Sequence, residues 1–177
     1  QASFDFVDVV QAKLDKHIVC RMGVDRLLDI ADDRNASARI IDNLMQPRSS
    51  FAGLPMSAPV IMGILNVTPD SFSDGGQHSV PATATVAGKA MITAGAGIID
   101  IGGESTRPGA APITRNQALV RVLPPLTALK ECGAVLSVDT RHAEVMKRVG
   151  PAGAGIINDV AGLRSEGALE AAVQTGC

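Results

Sequence analysis

The run VIMGILNV, residues 60–67, decides how the main part of this chain folds. It is a short, continuous apolar segment without alternation of polar and apolar residues, which is typical of a parallel strand buried on both faces. Three further runs of this kind lie at residues 98–101, 135–138 and 156–160. Longer segments with helical periodicity separate the four runs, and this alternation predicts consecutive βα units around a covered parallel sheet.

One of the predicted helices carries clear start and stop signals. Thr114 is followed three residues later by Gln117 and then by an apolar segment. This pattern is a capping box and predicts a helix start at Thr114. Pro124 and Pro125 should end or kink the same helix, because proline has no backbone N–H to donate.

Residues 1–59 have a different pattern of apolar residues. Between residues 4 and 45 apolar residues recur at helical spacing, for example at Phe6, Val10 and Leu14, which predicts two or three short amphipathic helices. Residues 46–59 hold three prolines and no periodicity, which is typical of a connection. We therefore expect a helical N-terminal extension and linker over residues 1–59, followed by the main domain over residues 60–177.

Composition narrows the class of protein. The chain has 177 residues, 46% of them apolar, and its 16 basic and 18 acidic residues leave a net charge of -2. This balance provides no basic surface for nucleic acid or anionic lipid, and no apolar stretch reaches the ~20 residues that span a bilayer. The three cysteines are widely spaced and fit free thiols in a reducing compartment. We expect a cytoplasmic protein without a nucleic-acid or membrane partner.

Four βα units make half of a (β/α)8 barrel, the TIM barrel, for which ~250 residues is typical. The first and fourth strands of such a half would be apolar edges with unpaired backbone groups, which proteins usually avoid. The first residue is Gln and not Met, as in an excised or processed piece. We expect either that the natural chain continues past Cys177 or that two copies complete one another.

Polar residues stand at or near the end of each apolar run. These are Asn66 in the first run, Asp100 in the second, Asp139 directly after the third and Asn158 in the fourth. An Asn or Asp after a strand, taken singly, is about as often only a helix cap or a turn residue as it is part of a functional site. Because the carboxyl ends of parallel strands share one face of a barrel, four such residues together favour a small-molecule site at that face.

Two long strings within these strand ends identify a family. MGILNVTPDSFSDGG, residues 62–76, and DIGGESTRPG, residues 100–109, resemble the first and second signatures of dihydropteroate synthases. SVDT, residues 137–140, and IINDV, residues 156–160, resemble the third and fourth strand ends of that family. The resemblance covers residues 60–177 and does not extend to the first 59 residues. It implies a pterin-binding TIM barrel of which the first four βα units are present.

The activity implied by this resemblance belongs to folate biosynthesis. The enzyme condenses 6-hydroxymethyl-7,8-dihydropterin pyrophosphate with p-aminobenzoate, giving 7,8-dihydropteroate and pyrophosphate. The resemblance further implies that Asn66 helps to hold Mg2+ and the pyrophosphate, and that Thr106 and Arg107 also bind the pyrophosphate. These residue types suit the task, because Mg2+ takes oxygen ligands and keeps waters, and arginine offers a fixed fork of donors to an anion.

The pterin and p-aminobenzoate are assigned by the same resemblance. Asp139 and Asn158 are implied to bind the pterin ring, whose edge alternates donors and acceptors. Asp100 lies deeper on its strand and either supports that pocket or has a purely structural hydrogen-bonding role. Phe72 and Pro108 are implied to shape the p-aminobenzoate site. The catalytic set that follows consists of Asn66, Asp100, Arg107 and Asp139.

Two alternatives stay open at this point. One is a methyltransferase that passes a methyl group from methyltetrahydrofolate to a corrinoid, since such barrels share the Asp and Asn of the pterin pocket but have no need of the loop with Thr106 and Arg107. The other is a non-catalytic relative that serves as a partner or scaffold. The resembling family also uses Lys, Arg and His residues of later strands, which this sequence lacks, so we expect little activity from the 177 residues alone. A homodimer is implied by the resemblance.

Overall fold

The chain divides into two compact units. A computed structural model describes residues 5–13, 16–68, 80–105 and 112–177. One unit comprises Gln1–Ser50 and Pro55–Ala58, and the other comprises Phe51–Leu54 and Pro59–Cys177. No helix within the described ranges has both the length and the apolar character that crossing a membrane requires.

The first unit begins with a β-hairpin. Strand β1 (Phe6–Lys13) pairs antiparallel with strand β2 (Lys16–Gly23). In this register Asp8 lies opposite Arg21, and the two side chains form a two-pronged ion pair with N–O distances of 2.8 and 2.9 Å. Because both side chains are exposed, the pair contributes little stability but matches the observed register.

The helix predicted over the first part of this unit is therefore wrong. Phe6 and Val10 lie four residues apart, a spacing that fits a strand of period two as well as a helix of period 3.6. The β-branched residues of both segments, such as Val7, Val9 and Ile18, favour the extended conformation. Leu14, the third residue of the predicted stripe, lies outside the described residues.

Helices form in the second part of the unit, where the sequence also predicted them. Helix α1 (Val24–Ile30) is followed by helix α2 (Arg34–Met45). The Asp33 carboxylate caps α2 by accepting a hydrogen bond from the Ala36 N–H at 2.8 Å, which satisfies one of the free donors at the helix start. The helical N-terminal extension is thus half hairpin and half helix.

The described residues of the second unit form four βα units, as the sequence predicted. Its elements are β3 (Met62–Asn66), α3 (Val80–Thr93), β4 (Ile98–Gly102), α4 (Arg115–Leu129), β5 (Val135–Asp139), α5 (Ala143–Ala152), β6 (Ile156–Asn158) and α6 (Ala168–Thr175). The strands are parallel and lie in the order β3-β4-β5-β6. The fold class, α/β with a parallel sheet, is confirmed.

The two central strands form the core of this sheet. All five residues of β4 are buried, and so are the three middle residues of β5. The outer strands are more open, since Ile64 of β3 is 63% exposed and no residue of β6 is buried. The prediction of a covered sheet is therefore right for the central strands and wrong for the two edges.

Helix α4 begins as predicted but does not end at its prolines. The Thr114 hydroxyl accepts from the Gln117 N–H at 3.3 Å, and the Gln117 side chain accepts from the Thr114 N–H at 2.9 Å, which confirms the capping box. The helix then continues through both prolines to Leu129. Its buried face beyond them includes Leu126 and Leu129, so the packing of this face outweighs the lost backbone hydrogen bonds.

Two valines of α4 provide a test of this packing. Val122 is 1% exposed, whereas Val120 on the same helix is 71% exposed. We expect Val122→Ala to lower the free energy of unfolding by about 2 kcal/mol, because it removes buried methyl groups and leaves a cavity. Val120→Ala, the matched control, should change it by less than about 0.5 kcal/mol. Denaturant unfolding measures both, and equal losses would contradict the assigned faces of α4.

Candidate functional site

The carboxyl ends of the four parallel strands form one row. Asn66 of β3 pairs with Gly102 of β4, Gly102 pairs with Asp139 of β5, and Asp139 pairs with Asn158 of β6. Register partners in neighbouring parallel strands project from the same face of the sheet. Three of the residues predicted for the site, Asn66, Asp139 and Asn158, therefore share one face and one end of the sheet.

A second, deeper row lies two residues back along the strands. Asp100 of β4 pairs with Ser137 of β5, and because side chains alternate along a strand, this pair is on the same face as Gly102 and Asp139. Asp100 is 6% exposed and Ser137 is fully buried. The two rows are linked, since Asn158 Nδ2 donates a hydrogen bond to Asp100 Oδ2 at 3.0 Å.

Two polar atoms of the deeper row have no hydrogen-bond partner within the described part of the chain. These atoms are Asp100 Oδ1 and Ser137 Oγ. Buried polar groups without a partner are uncommon in folded proteins and are found more often at functional sites. Ser137 was not among the residues predicted for the site, although it stands in the SVDT string two residues before Asp139.

Gly102 keeps the middle of the first row, the row of strand ends, open. A Cβ atom built on Gly102 would lie 3.4 Å from Asn66 Oδ1 and 3.9 Å from Asp139 Cβ. These are ordinary contact distances, so a methyl group fits there but fills the space between the amide and the carboxylate. A glycine at this position leaves room for a ligand atom close to the backbone.

The Asp139 carboxyl lies in surroundings that disfavour its charged form. Its pKa is raised from the ordinary 3.8 to about 6, in the first place because burial disfavours the charged form. The negative charges of Asp100, Asp159 and Glu104 raise this pKa further, in that order. A carboxylate in such surroundings gains from a ligand that brings hydrogen-bond donors or positive charge.

An ion pair joins the loops that follow β4 and β5. The Arg141 guanidinium donates two hydrogen bonds to the Glu104 carboxylate, one of them from Nε at 3.3 Å. His142, the residue before α5, places Nε2 3.6 Å from Glu104 Oε2. Neither Glu104 nor Arg141 was predicted for the site. Their signal in the sequence is a pair of opposite charges placed just after two neighbouring strands.

Asp159, which follows Asn158, has a structural role. Its two carboxylate oxygens accept hydrogen bonds from the Ala161 N–H at 2.8 Å and the Leu163 N–H at 2.9 Å. Leu163 has a positive φ of 59°, which these hydrogen bonds help to hold. For this residue the interpretation as a turn former is sufficient.

Four predicted site residues cannot be located in this way. Phe72, Thr106, Arg107 and Pro108 lie outside the described residues, and their roles remain predictions. Across the described ranges, no group of three or more His, Cys, Asp or Glu side chains is arranged to hold a metal ion. The side-chain amide of Asn66 offers an oxygen ligand of the kind that Mg2+ accepts.

Known proteins resemble a large part of this chain. Residues 62–177 match the family described as pterin binding enzyme. The dihydropteroate synthase of Escherichia coli is 52% identical over 124 residues, which is 70% of this chain and 44% of that protein. The chain thus spans less than half the length of this relative.

Solved structures show the same relationship. A structure of Xanthomonas albilineans dihydropteroate synthase with 4-aminobenzoic acid has a TM-score of 0.67 and 47% identity, covering 73% of this chain and 49% of that one. A structure of Burkholderia cenocepacia dihydropteroate synthase complexed with 7,8-dihydropteroate has a TM-score of 0.59 and 42% identity, covering 67% of this chain and 39% of that one.

The raised pKa of Asp139 makes stability depend on pH. Because the folded-state pKa of about 6 lies above the ordinary 3.8, the stability that the protonated form contributes is fully present below pH 3.8 and is lost as the pH rises through 6. We expect Asp139→Asn, a neutral isostere, to match the wild type near pH 4 and to be more stable at pH 7.5. The gain should be about 1 kcal/mol after allowance for solvent screening of a half-buried group.

Denaturant unfolding at the two pH values measures this difference. Glu131→Gln removes an exposed carboxylate from the same unit and serves as the control, with a change in stability of less than about 0.5 kcal/mol at both pH values. A stability gain in Asp139→Asn that is equal at pH 4 and pH 7.5 would show that the Asp139 pKa is not raised.

Proposed function

This chain belongs to the family of pterin binding enzymes, and from this membership we propose that the protein acts as a dihydropteroate synthase. The substrates are 6-hydroxymethyl-7,8-dihydropterin pyrophosphate and p-aminobenzoate, and the products are 7,8-dihydropteroate and pyrophosphate. The sequence identity of about 50% to synthases supports this activity. So does the row of polar strand ends, which is the observation that carries the proposal.

The four βα units are, in this proposal, the first half of a TIM barrel. The parallel sheet with its alternating helices supports this, and so does the likeness to synthase structures of about twice the matched length. Catalysis then belongs to a complete barrel. A homodimer and a cytoplasmic location are further parts of the proposal, and both rest on the resemblance to the family.

Asp139 and Asn158 bind the pterin ring. A carboxylate accepts two hydrogen bonds from neighbouring N–H groups of a heterocycle, and an amide offers one acceptor and one type of donor. The register sets the two groups side by side on rigid strand ends, which suits a flat ring with alternating donors and acceptors. Gly102 leaves the space into which that ring extends.

The pyrophosphate lies toward Asn66, with Thr106 and Arg107 as further ligands. Asn66 is exposed, and its Oδ1 faces the space above Gly102, so this oxygen fits a magnesium ion that is otherwise held by pyrophosphate oxygens and water. When bound, Mg2+ stabilises the negative charge that grows on the departing pyrophosphate.

The reaction needs no nucleophilic side chain. The bond between the pterin methylene carbon and the pyrophosphate oxygen breaks, and the electron pair leaves with the pyrophosphate. The amine nitrogen of p-aminobenzoate forms a bond to that carbon and loses a proton. The contribution of this chain is to hold the pterin ring and keep the methylene carbon in a fixed position, which lowers the barrier by orientation.

The synthase is favoured over the methyltransferase alternative. The relatives described above are dihydropteroate synthases, and the chain carries the Thr106 and Arg107 string that a methyltransferase does not require. A non-catalytic scaffold is disfavoured because Asn66, Asp139 and Asn158 are all retained in one row.

Calorimetry with the pterin pyrophosphate tests the proposed function. We expect the chain to bind 6-hydroxymethyl-7,8-dihydropterin pyrophosphate, and Mg2+ to strengthen binding by about tenfold or more, because the ion offsets the charge of the diphosphate. The same pterin without the diphosphate is the control and should show no effect of Mg2+. If neither compound binds, a pterin site on this chain is excluded.

Gly102→Ala tests the position of the ring. The added methyl group meets only ordinary contacts, so stability should change by less than about 1 kcal/mol, while pterin affinity should fall by about tenfold or more. Gly155→Ala is the control, because Gly155 lies just before β6, at the end of that strand away from Asn158. Its added methyl group would lie 3.1 Å from Val135 Cγ1 and cost some stability, but it should leave the affinity unchanged. Undiminished binding by Gly102→Ala would place the ligand elsewhere.

A further inference from the structure

The hydrogen bond from Asn158 to Asp100 links the two rows of the site. We propose that Asp100 is a positioning residue that fixes the orientation of the Asn158 side-chain amide, so that Asn158 Oδ1 faces the ligand as an acceptor. This inference rests on the proposed function for the nature of the ligand. It rests on the described contacts for the geometry.

The chemistry of the two groups allows one arrangement. A carboxylate only accepts hydrogen bonds, and an amide has a donor end and an acceptor end of nearly equal size. Asn158 turns Nδ2 toward Asp100 Oδ2, with a distance of 3.0 Å. Rotation of the amide by 180° would instead bring Asn158 Oδ1 against the carboxylate, and the two oxygens would repel each other.

Burial makes this preference strong. Asp100 is 6% exposed, and its other oxygen, Oδ1, has no hydrogen-bond partner within the described residues. The Asn158 N–H is therefore the one hydrogen bond described for a carboxylate that is almost removed from water. Rotation of the amide would remove this hydrogen bond from the buried carboxylate. Such a loss is far more costly than the loss of a hydrogen bond between neutral groups.

Among the described residues, Asp100 is the one that orients the Asn158 side chain. Asn158 is exposed, it is the last residue of a three-residue edge strand, and Asp100 is the partner described for its side chain. Without Asp100 both orientations of the amide would be populated, and only one would match a ligand that donates a hydrogen bond at this point. Asp100 thus selects ligands with a donor, although it need not touch them.

Exchanging the two groups separates positioning from a merely structural role. Dissociation constants of 6-hydroxymethylpterin are measured by calorimetry for the wild type, Asp100→Asn, Asn158→Asp and the double variant. Asp100→Asn should weaken binding by about threefold, since both amide orientations become allowed. Asn158→Asp should weaken it by about tenfold or more, because two carboxylates then face each other.

The double variant is the decisive one. An amide at position 100 again donates to a carboxylate at position 158, an oxygen again faces the ligand, and the net charge equals that of the wild type. We expect affinity to return to within about threefold of the wild-type value, whatever the melting temperature of each variant. If the two losses multiply instead, the inference is wrong. Glu170→Gln, which removes an exposed carboxylate of α6, is the control and should leave the affinity unchanged.

A ligand-free measurement distinguishes failure of this inference from failure of the proposed function. In nitrogen-15 NMR of the full chain, one Nδ2 proton of Asn158 should exchange slowly with water, and Asp100→Ala should remove this protection. A wild type that binds no pterin but shows the protected proton contradicts the function and supports the positioning. Equal exchange in the wild type and Asp100→Ala overturns the positioning.

Discussion

The register of four parallel strands is the constraint on which the site depends. The site forms because the last residues of neighbouring strands are register partners. These partners are Asn66, Gly102, Asp139 and Asn158. A slip of one residue would turn the side chains of a whole strand to the helical side of the sheet. The buried apolar residues that alternate with the site, such as Leu65, Ile101 and Val138, hold this register, so packing and function are set by the same residues.

The sequence correctly predicted those elements for which the local sequence pattern and the packing in the folded chain favour the same conformation. The four strands and the capping box at Thr114 were found because continuous apolar runs and capping patterns have few other interpretations. The hairpin was missed because Phe6 and Val10 fit both periodicities. The continuation of α4 through Pro124 was missed because it depends on packing against residues distant in sequence, which local rules do not contain.

For the site, the sequence predicted which residues end the strands but not how they interact. Asp139 and Asn158 were recognisable by position. The hydrogen bond between Asn158 and Asp100 spans 58 residues and depends on the alternation of side chains across two strands. The burial of Ser137 and the ion pair of Glu104 with Arg141 likewise depend on tertiary neighbours.

The distribution of charge explains why the two halves of the proposed substrate would lie apart. Asp100, Asp139 and Asp159 lie near one another, whereas the nearby Glu104 is paired with Arg141. An anion close to these carboxylates would repel the charged form of Asp139. It would raise the pKa of Asp139, which is already about 6, still further. A neutral ring with N–H donors lowers that pKa. The carboxylates therefore favour the ring over the diphosphate at Asp139, and the uncharged Asn66 at the β3 edge is the end of the row where an anion meets the least repulsion.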